Sequence, residues 1–126
     1  MRWLVDGMNV IGSRPDGWWR DRAASVRRLI VGLEALAAAS GDDVSVVFDG
    51  RAPRDEPESR TVAVEFAPGG RDAADDRIAE RVAADSDPAT LRVVTSDRGL
   101  AERVRGAGAE VVGSGGFRRR IDGLAA

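Results

Sequence analysis

Residues 44–50 read VSVVFDG, and the order of residue types in this stretch decides the fold. The run VSVVF is apolar almost throughout, the pattern of a strand covered on both faces, as in parallel sheets flanked by helices. Asp49-Gly50 closes it, so a carboxylate stands at the strand's C-terminal end. Two further stretches repeat the arrangement. Residues 2–7, RWLVDG, make a short apolar strand closed by the turn-forming pair Asp6-Gly7, and residues 91–97, LRVVTSD, make a buried-type strand closed by Ser96 and Asp97.

The segments between these strands alternate in type. After a polar loop holding Pro15, Asp16 and Gly17, the residues Val26, Leu29, Ile30, Leu33, Leu36 and Ala37 recur at helical spacing, and Gly41 is the expected stop. RAPRDEPESR, residues 51–60, reads as an exposed loop, and TVAVEF, residues 61–66, alternates as a half-buried edge strand. A second helix is predicted from Asp72 to about Asp85, with Ile78 and Val82 on one stripe. A third begins near Arg98 under a Ser96 or Asp97 cap and ends around Gly106 to Gly108. EVVG supplies a last short strand. Residues 113–126, GSGGFRRRIDGLAA, read as a Gly/Arg-rich tail with one final helical turn. This predicts a single domain, 1–126, of α/β class: a doubly wound, mostly parallel sheet of about 4–5 strands with helices on both faces.

Composition narrows the chemistry. The chain has no cysteine, histidine, lysine or tyrosine, and all 19 basic residues are arginine. Histidine bases, Schiff-base or P-loop lysines, cysteine nucleophiles and thiolate zinc sites are excluded, leaving carboxylates, Ser/Thr hydroxyls, Arg and backbone dipoles. Receiver domains, which need a strand-end lysine, are disfavoured on the same ground. No apolar run approaches the roughly 20 residues that span a bilayer, and Asp6 interrupts the N-terminal apolar stretch, so neither a membrane span nor a secretory signal is expected. A cytoplasmic location is the expectation.

In doubly wound sheets, ligands bind beyond the carboxyl ends of the strands, where strand order reverses. Asp6, Asp49 and Asp97 are all predicted there. Each alone has a structural explanation, as a turn residue or a helix-end charge. Gathered together they repel and raise one another's pKa unless a cation is present. Asp75 adds to them, because at 100° per residue it lies between Ile78 and Val82 on the inward stripe, whereas Asp76 points away. Asp72, Asp76 and Ser96 are expected beside these acids rather than on the metal, and Ser96 is expected to cap the following helix. Hard carboxylate oxygens suit Mg²⁺ or Mn²⁺, which share their coordination with substrate phosphates. The chemistry this points to is phosphodiester hydrolysis, with two ions about 4 Å apart able to serve attacking water and leaving oxygen. Asn9, in DGMN, either orients a phosphate or a metal-bound water or closes an Asx-turn.

With DGMNVIG (6–12), VVFDG (46–50), AADDRIAE (73–80) and VVTSDRGL (93–100) in this order, the chain resembles an NYN domain of the PIN-like nuclease superfamily, closest to its YacP-like branch. The resemblance runs from Arg2 to about Phe117. It implies a Rossmann-like PIN fold and a ribonuclease dependent on Mg²⁺ or Mn²⁺, leaving a 5′-phosphate and a 3′-hydroxyl. Asp6, Asn9, Asp49, Asp75 and Asp97 stand at the positions of the family's acidic cluster and its asparagine, and some YacP-like members act on messenger RNA at the ribosome. Met8 stands where relatives often carry tyrosine, and GGRDA precedes Asp75 where a Gly-Glu-Thr type run is common. Two other readings fit the residues: a catalytically silent NYN-type RNA-binding or scaffold protein, and the toxin ribonuclease of a toxin–antitoxin pair.

A formal net charge of −2 is not that of a general nucleic-acid binder. Arginine is nonetheless locally dense at Arg51 and Arg54, at Arg103 and Arg105, and at Arg118, Arg119 and Arg120. Arg14 and Arg20 flank Trp18 and Trp19, and exposed aromatics can stack on unpaired bases. Arg14, Trp18, Arg51 and Arg118 to Arg120 are the expected RNA contacts. The competing readings are a solvated tail for the arginine run and core packing for one tryptophan.

Overall fold

Five strands, β1 (Arg2–Asp6), β2 (Asp43–Asp49), β3 (Val62–Ala67), β4 (Leu91–Val94) and β5 (Glu110–Val112), pair in a wholly parallel sheet in a computed structural model that describes residues 1–15 and 17–125. Their order is β3-β2-β1-β4-β5. The apolar strands VSVVF, RWLV and LRVV occupy the three central places, where both faces are covered, and the alternating TVAVEF stretch lies at an edge. Asp16, assigned to the first loop by sequence, lies outside the described residues.

Strand alternation sorts the core into two layers. Trp3 and Val5 of β1 face the same way as Val44, Val46 and Phe48 of β2, and pack with helices α1 (Gly7–Gly12), α2 (Arg22–Ser40) and α5 (Ser114–Ala125). Leu4 faces the other way with Val47, Leu91 and Val93, under α3 (Ala73–Ala83) and α4 (Arg98–Gly106). The burial of Val26, Leu29, Ile30, Leu33 and Leu36 along one stripe of α2 explains why that segment is helical, and Gly41, at φ 72°, ends it. No helix among the described residues is long and apolar enough to cross a membrane.

Three local features differ from expectation. The chain does not loop after β1 but enters α1 directly at Gly7, so Asn9 belongs to a helix rather than an Asx-turn. Gly7 serves here for close approach: a Cβ on it would lie 2.4 Å from the Phe48 ring. Residues 114–125 are a full helix rather than a tail. Its glycines and three arginines hide the i, i+4 pair Phe117 and Ile121, which are both buried, and Phe117 lies 5.4 Å from the Trp3 ring. Finally, β2 and β3 are joined without a helix, the irregular segment 50–61 returning along α2, where Ser59 Oγ donates to Glu34 Oε2 at 2.9 Å.

A methyl at residue 7 has to displace a ring that is itself fully buried. Gly7→Ala is expected to lower stability by about 1–3 kcal/mol, the usual cost of overpacking a filled core, read as a fall in the urea midpoint at unchanged m. An unchanged midpoint would mean the Phe48 ring has room to give way.

Candidate active site

Register and alternation bring the strand-end acids together. Asp6 pairs with Val47 across β1 and β2, so Asp49, two residues on, shares its face. On the other side Val5 pairs with Val94, which places Thr95 beside Asp6 at the point where strand order reverses. Here a buried hydroxyl ties two acids. Thr95 Oγ1 donates to Asp6 Oδ2 at 2.9 Å and accepts the Asp97 backbone N–H at 3.1 Å. Asp97 Oδ1 then accepts from Leu100 N at 2.8 Å, capping α4. Asp49 Oδ1 accepts from Ala74 N at 3.0 Å and so anchors the first turn of α3 next to Asp75. Thr95 escaped the sequence reading, although a polar residue closing the LRVV strand just before Ser-Asp was the available signal.

The helical period separates the two neighbouring acids of α3. Asp75 is half-buried and turned toward Asp97 and Asp49, whereas Asp76 is exposed and accepts from Arg103 Nη1 at 2.9 Å. Asp72 precedes α3, exposed and without a side-chain cap bond. Ser96 does not cap α4. Its Oγ accepts from Ser114 N at 2.9 Å, because Asp97 already fills the capping position. Asn9 completes a knot among α1, the β4–α4 turn and α5: its Oδ1 accepts from Ser96 N at 2.8 Å and from the buried Ser114 Oγ at 2.5 Å. With that oxygen doubly occupied, only the amide N–H groups of Asn9 remain to meet a substrate.

Crowding shows in the electrostatics. Burial, then the charges of Asp75 and Asp49, push the Asp6 carboxyl up to about 7 against the opposing pull of the Thr95 hydroxyl. Partial burial, then Asp97, Asp49 and Asp72, push Asp75 up to about 6. The ion pairs between described residues leave out Asp6, Asp49, Asp75 and Asp97, and the charge of Arg103 only partly offsets the repulsion at Asp75. The donor set, all hard oxygen with no thiolate or imidazole, fits Mg²⁺ or Mn²⁺ by chemistry. Among the described residues, however, no three acidic side chains converge closely enough to hold one ion. Binding through one or two carboxylates, with waters and substrate phosphates completing the shell, is the usual habit of Mg²⁺ and is compatible with this spacing.

The residues expected to meet RNA are dispersed. Arg14 forms an ion pair with Asp122 of α5, on the face away from the acids. Trp18 packs on the α1/α2/α5 core layer, and it is Trp19 that stands 64% exposed, so the stacking surface of this pair belongs to Trp19. Arg118 is half-buried, Arg119 is exposed, and the Arg120 guanidinium lies 5.4 Å from the Trp3 ring centroid. Arg51 is exposed, two residues beyond Asp49. Sequence reasoning also missed Arg22, whose guanidinium donates to the Asp49 carbonyl and lies 3.7 Å from the Met8 sulfur.

A parallel sheet of this order, with carboxylates gathered at its switch point, defines a PIN-like, nuclease-type fold. The chain belongs to the YacP-like NYN domain family, whose model it matches over residues 3–125. Among solved structures it is similar to Rae1 (YacP) from Bacillus subtilis, at 26% identity and TM-score 0.80 over 99% of this chain and 75% of that one. A point mutant of the same protein aligns at 28% identity and TM-score 0.82, over 99% and 77%. No curated protein matches the chain.

Two stability predictions follow from the buried acid and its partner. Asp6 titrates higher folded than unfolded, so the stability its proton supplies is complete below about pH 4 and is lost as pH rises through about 7. Metal-free Asp6→Asn is therefore expected to exceed the parent in stability at pH 8, by on the order of 1–3 kcal/mol, with the gap closing toward pH 4 in urea titrations. A difference independent of pH would mean that Asp6 is not the titrating group. Thr95→Val keeps the shape but strips Asp6 of its side-chain donor and the Asp97 N–H of its acceptor. It is expected to cost about 1–3 kcal/mol and to move the Asp6 carboxyl above its present value, followed by carboxyl-carbon NMR.

Proposed function

We infer that the chain is a metal-dependent endoribonuclease, hydrolysing RNA phosphodiester bonds at the β1/β4 end of the sheet. The observation that carries this reading is the set of four carboxylates, Asp6, Asp49, Asp75 and Asp97, facing one another while two of them are held well above the usual carboxylate range, Asp75 despite the nearby charge of Arg103. Asp6 and Asp97, linked through Thr95, and Asp49 and Asp75, linked through the first turn of α3, are the residues that would hold Mg²⁺ or Mn²⁺. When bound, such an ion would lower the pKa of a coordinated water and offset charge on the phosphorus oxygens. The chain's own groups position and orient. Thr95 fixes the rotamer of Asp6, the α4 cap fixes Asp97, and the Asn9 amide donates to a phosphate oxygen. With histidine and lysine absent, ionised carboxylates are the side-chain bases left.

One observation favours a second reading. Because no three acids converge on a point among the described residues, a catalytically silent NYN-type protein that binds RNA is the rival.

Cleavage of single-stranded and structured RNA with Mg²⁺, Mn²⁺ or EDTA decides between them. The parent is expected to cut only with metal. Asp6→Asn and Asp97→Asn are each expected to lose at least about 100-fold, the loss typical of removing a key electrostatic group. Asp75→Asn is expected to lose far more than Asp76→Asn. Activity surviving in EDTA, or in both of the first two variants, would remove the metal mechanism, and binding without cleavage would establish the rival.

A further inference from the structure

Two clefts flank the acidic rim, and they differ in charge. On the α4 side, a cleft of about 420 Å³ is lined by Thr95, Ser96, Arg98, Glu102, Arg105 and Gly113, so its two arginines share it with a glutamate. On the α2 side, the segment 50–61 stands in place of the helix that would ordinarily cross between β2 and β3, and it leaves a cleft of about 230 Å³ against the first turns of α2. Arg22, Arg27 and Arg51 line this second cleft with Pro53, Pro57 and Phe66, and no carboxylate lines it. Asp55, Glu56 and Glu58 belong to the same segment but are exposed and do not line the cleft. Neither Arg27 nor Arg51 forms an ion pair among the described residues.

The cleft opens beside the acids. Arg22 reaches from its floor to the Asp49 carbonyl, and Arg51 follows Asp49 by two residues. Three unopposed guanidiniums adjoining a cluster of four carboxylates form a charge step. A polyanion laid across it is attracted on the arginine side and repelled on the acid side unless cations intervene. Arginine forks match phosphate oxygens two at a time, and the prolines keep the outer wall stiff and poor in competing N–H donors.

We propose that the Arg22–Arg27–Arg51 cleft holds the sugar-phosphate backbone of a single-stranded RNA whose neighbouring phosphate lies at the acidic rim, giving the substrate strand its direction of entry along α2. This rests on the ribonuclease reading and adds the substrate's path. It also accounts for phosphate binding in a chain of net negative charge: the positive charge that matters is local and lies next to the site.

The test uses the full chain and a fluorescein-labelled single-stranded RNA of about 12 nucleotides, within the usual reach of such grooves. Anisotropy is read in EDTA, so that binding is separated from cleavage, across a salt series. Arg27→Ala/Arg51→Ala, both on exposed side chains, is expected to weaken binding roughly tenfold or more and to reduce the log–log salt slope by about 1.4, two phosphate contacts at 0.7 each. Arg98→Ala/Arg105→Ala removes the same charge from the other cleft and is expected to change binding less than about threefold, with little change in slope. If the parent binds and both doubles bind as it does, or both lose equally, the proposal is overturned while the ribonuclease reading stands. Loss confined to Arg98→Ala/Arg105→Ala would move the path to the α4 side and overturn it as well. If the parent binds no RNA in EDTA at any salt, the arginine cleft does not hold the strand and the proposal is overturned, and if it also cuts none with metal the ribonuclease reading falls with it.

Discussion

The Thr95 hydroxyl, closed between the Asp6 carboxylate and the Asp97 backbone N–H, is the contact around which the sheet's functional end is arranged. It lies where strand order reverses, the one place in a doubly wound sheet where two adjacent strands send their connections to opposite faces and leave a gap. Water and acids can enter such a gap, and here a buried acid does. A carboxylate nearly out of solvent needs donors or a proton, and Asp6 has the Thr95 hydroxyl, a weaker contribution from the Asn9 backbone N–H, and a raised pKa. The same hydroxyl sets the direction in which α4 departs, because it holds the backbone of the residue that caps that helix. Acid placement and helix placement are thus one event.

A second tier of bonds depends on this one. Asn9 binds the amide of Ser96 and the hydroxyl of Ser114, and Ser96 in turn binds the Ser114 amide. These residues come from α1, the β4–α4 turn and α5, so the rim is closed on the α5 side by side-chain hydrogen bonds, two of which join residues 87 and 105 apart in the chain. The opposite side is closed by Asp49 on the first turn of α3 and by Arg22 on the Asp49 carbonyl. Asp6, Asp49 and Asp97 are therefore each fixed by a contact through one carboxylate oxygen, and Asp75 is placed by the helix turn that Asp49 anchors. That geometry keeps the carboxylates poised without letting any three collapse onto a common point.

How much of this was legible in the sequence depends on the range of the interaction that carries it. Strands 2–6, 43–49 and 91–94 were readable because burial on both faces writes itself into a local run of β-branched residues, and the acids at their ends came with them. Asp75 was separable from Asp76 because a helical period is also local. Helix α5 was not readable, since two glycines and three arginines obscure the spacing of Phe117 and Ile121 and the partner of Phe117 is Trp3, on another strand. The roles of Asn9 and Ser96 depend on Ser114, a partner that no spacing rule points to. Trp18 and Trp19 sit in a short 3₁₀ turn, where no periodicity tells which ring turns inward.

The charge distribution closes the physical argument. Nineteen arginines against 21 acids average to almost nothing, yet the fold does not average them. Some arginines are spent in pairs, Arg77 with Glu65 and Arg103 with Asp76 on helix faces and Arg2 of β1 with Asp85, and exposed pairs contribute little stability each. What these pairs do is remove charge from the outside of the molecule. At the carboxyl end of the sheet, acids at the switch point lie beside the guanidiniums of Arg22, Arg27 and Arg51, which line a cleft that no carboxylate lines. A nearly neutral chain thus carries two local fields of opposite sign side by side, and a phosphate chain bridged by cations is a ligand that suits both.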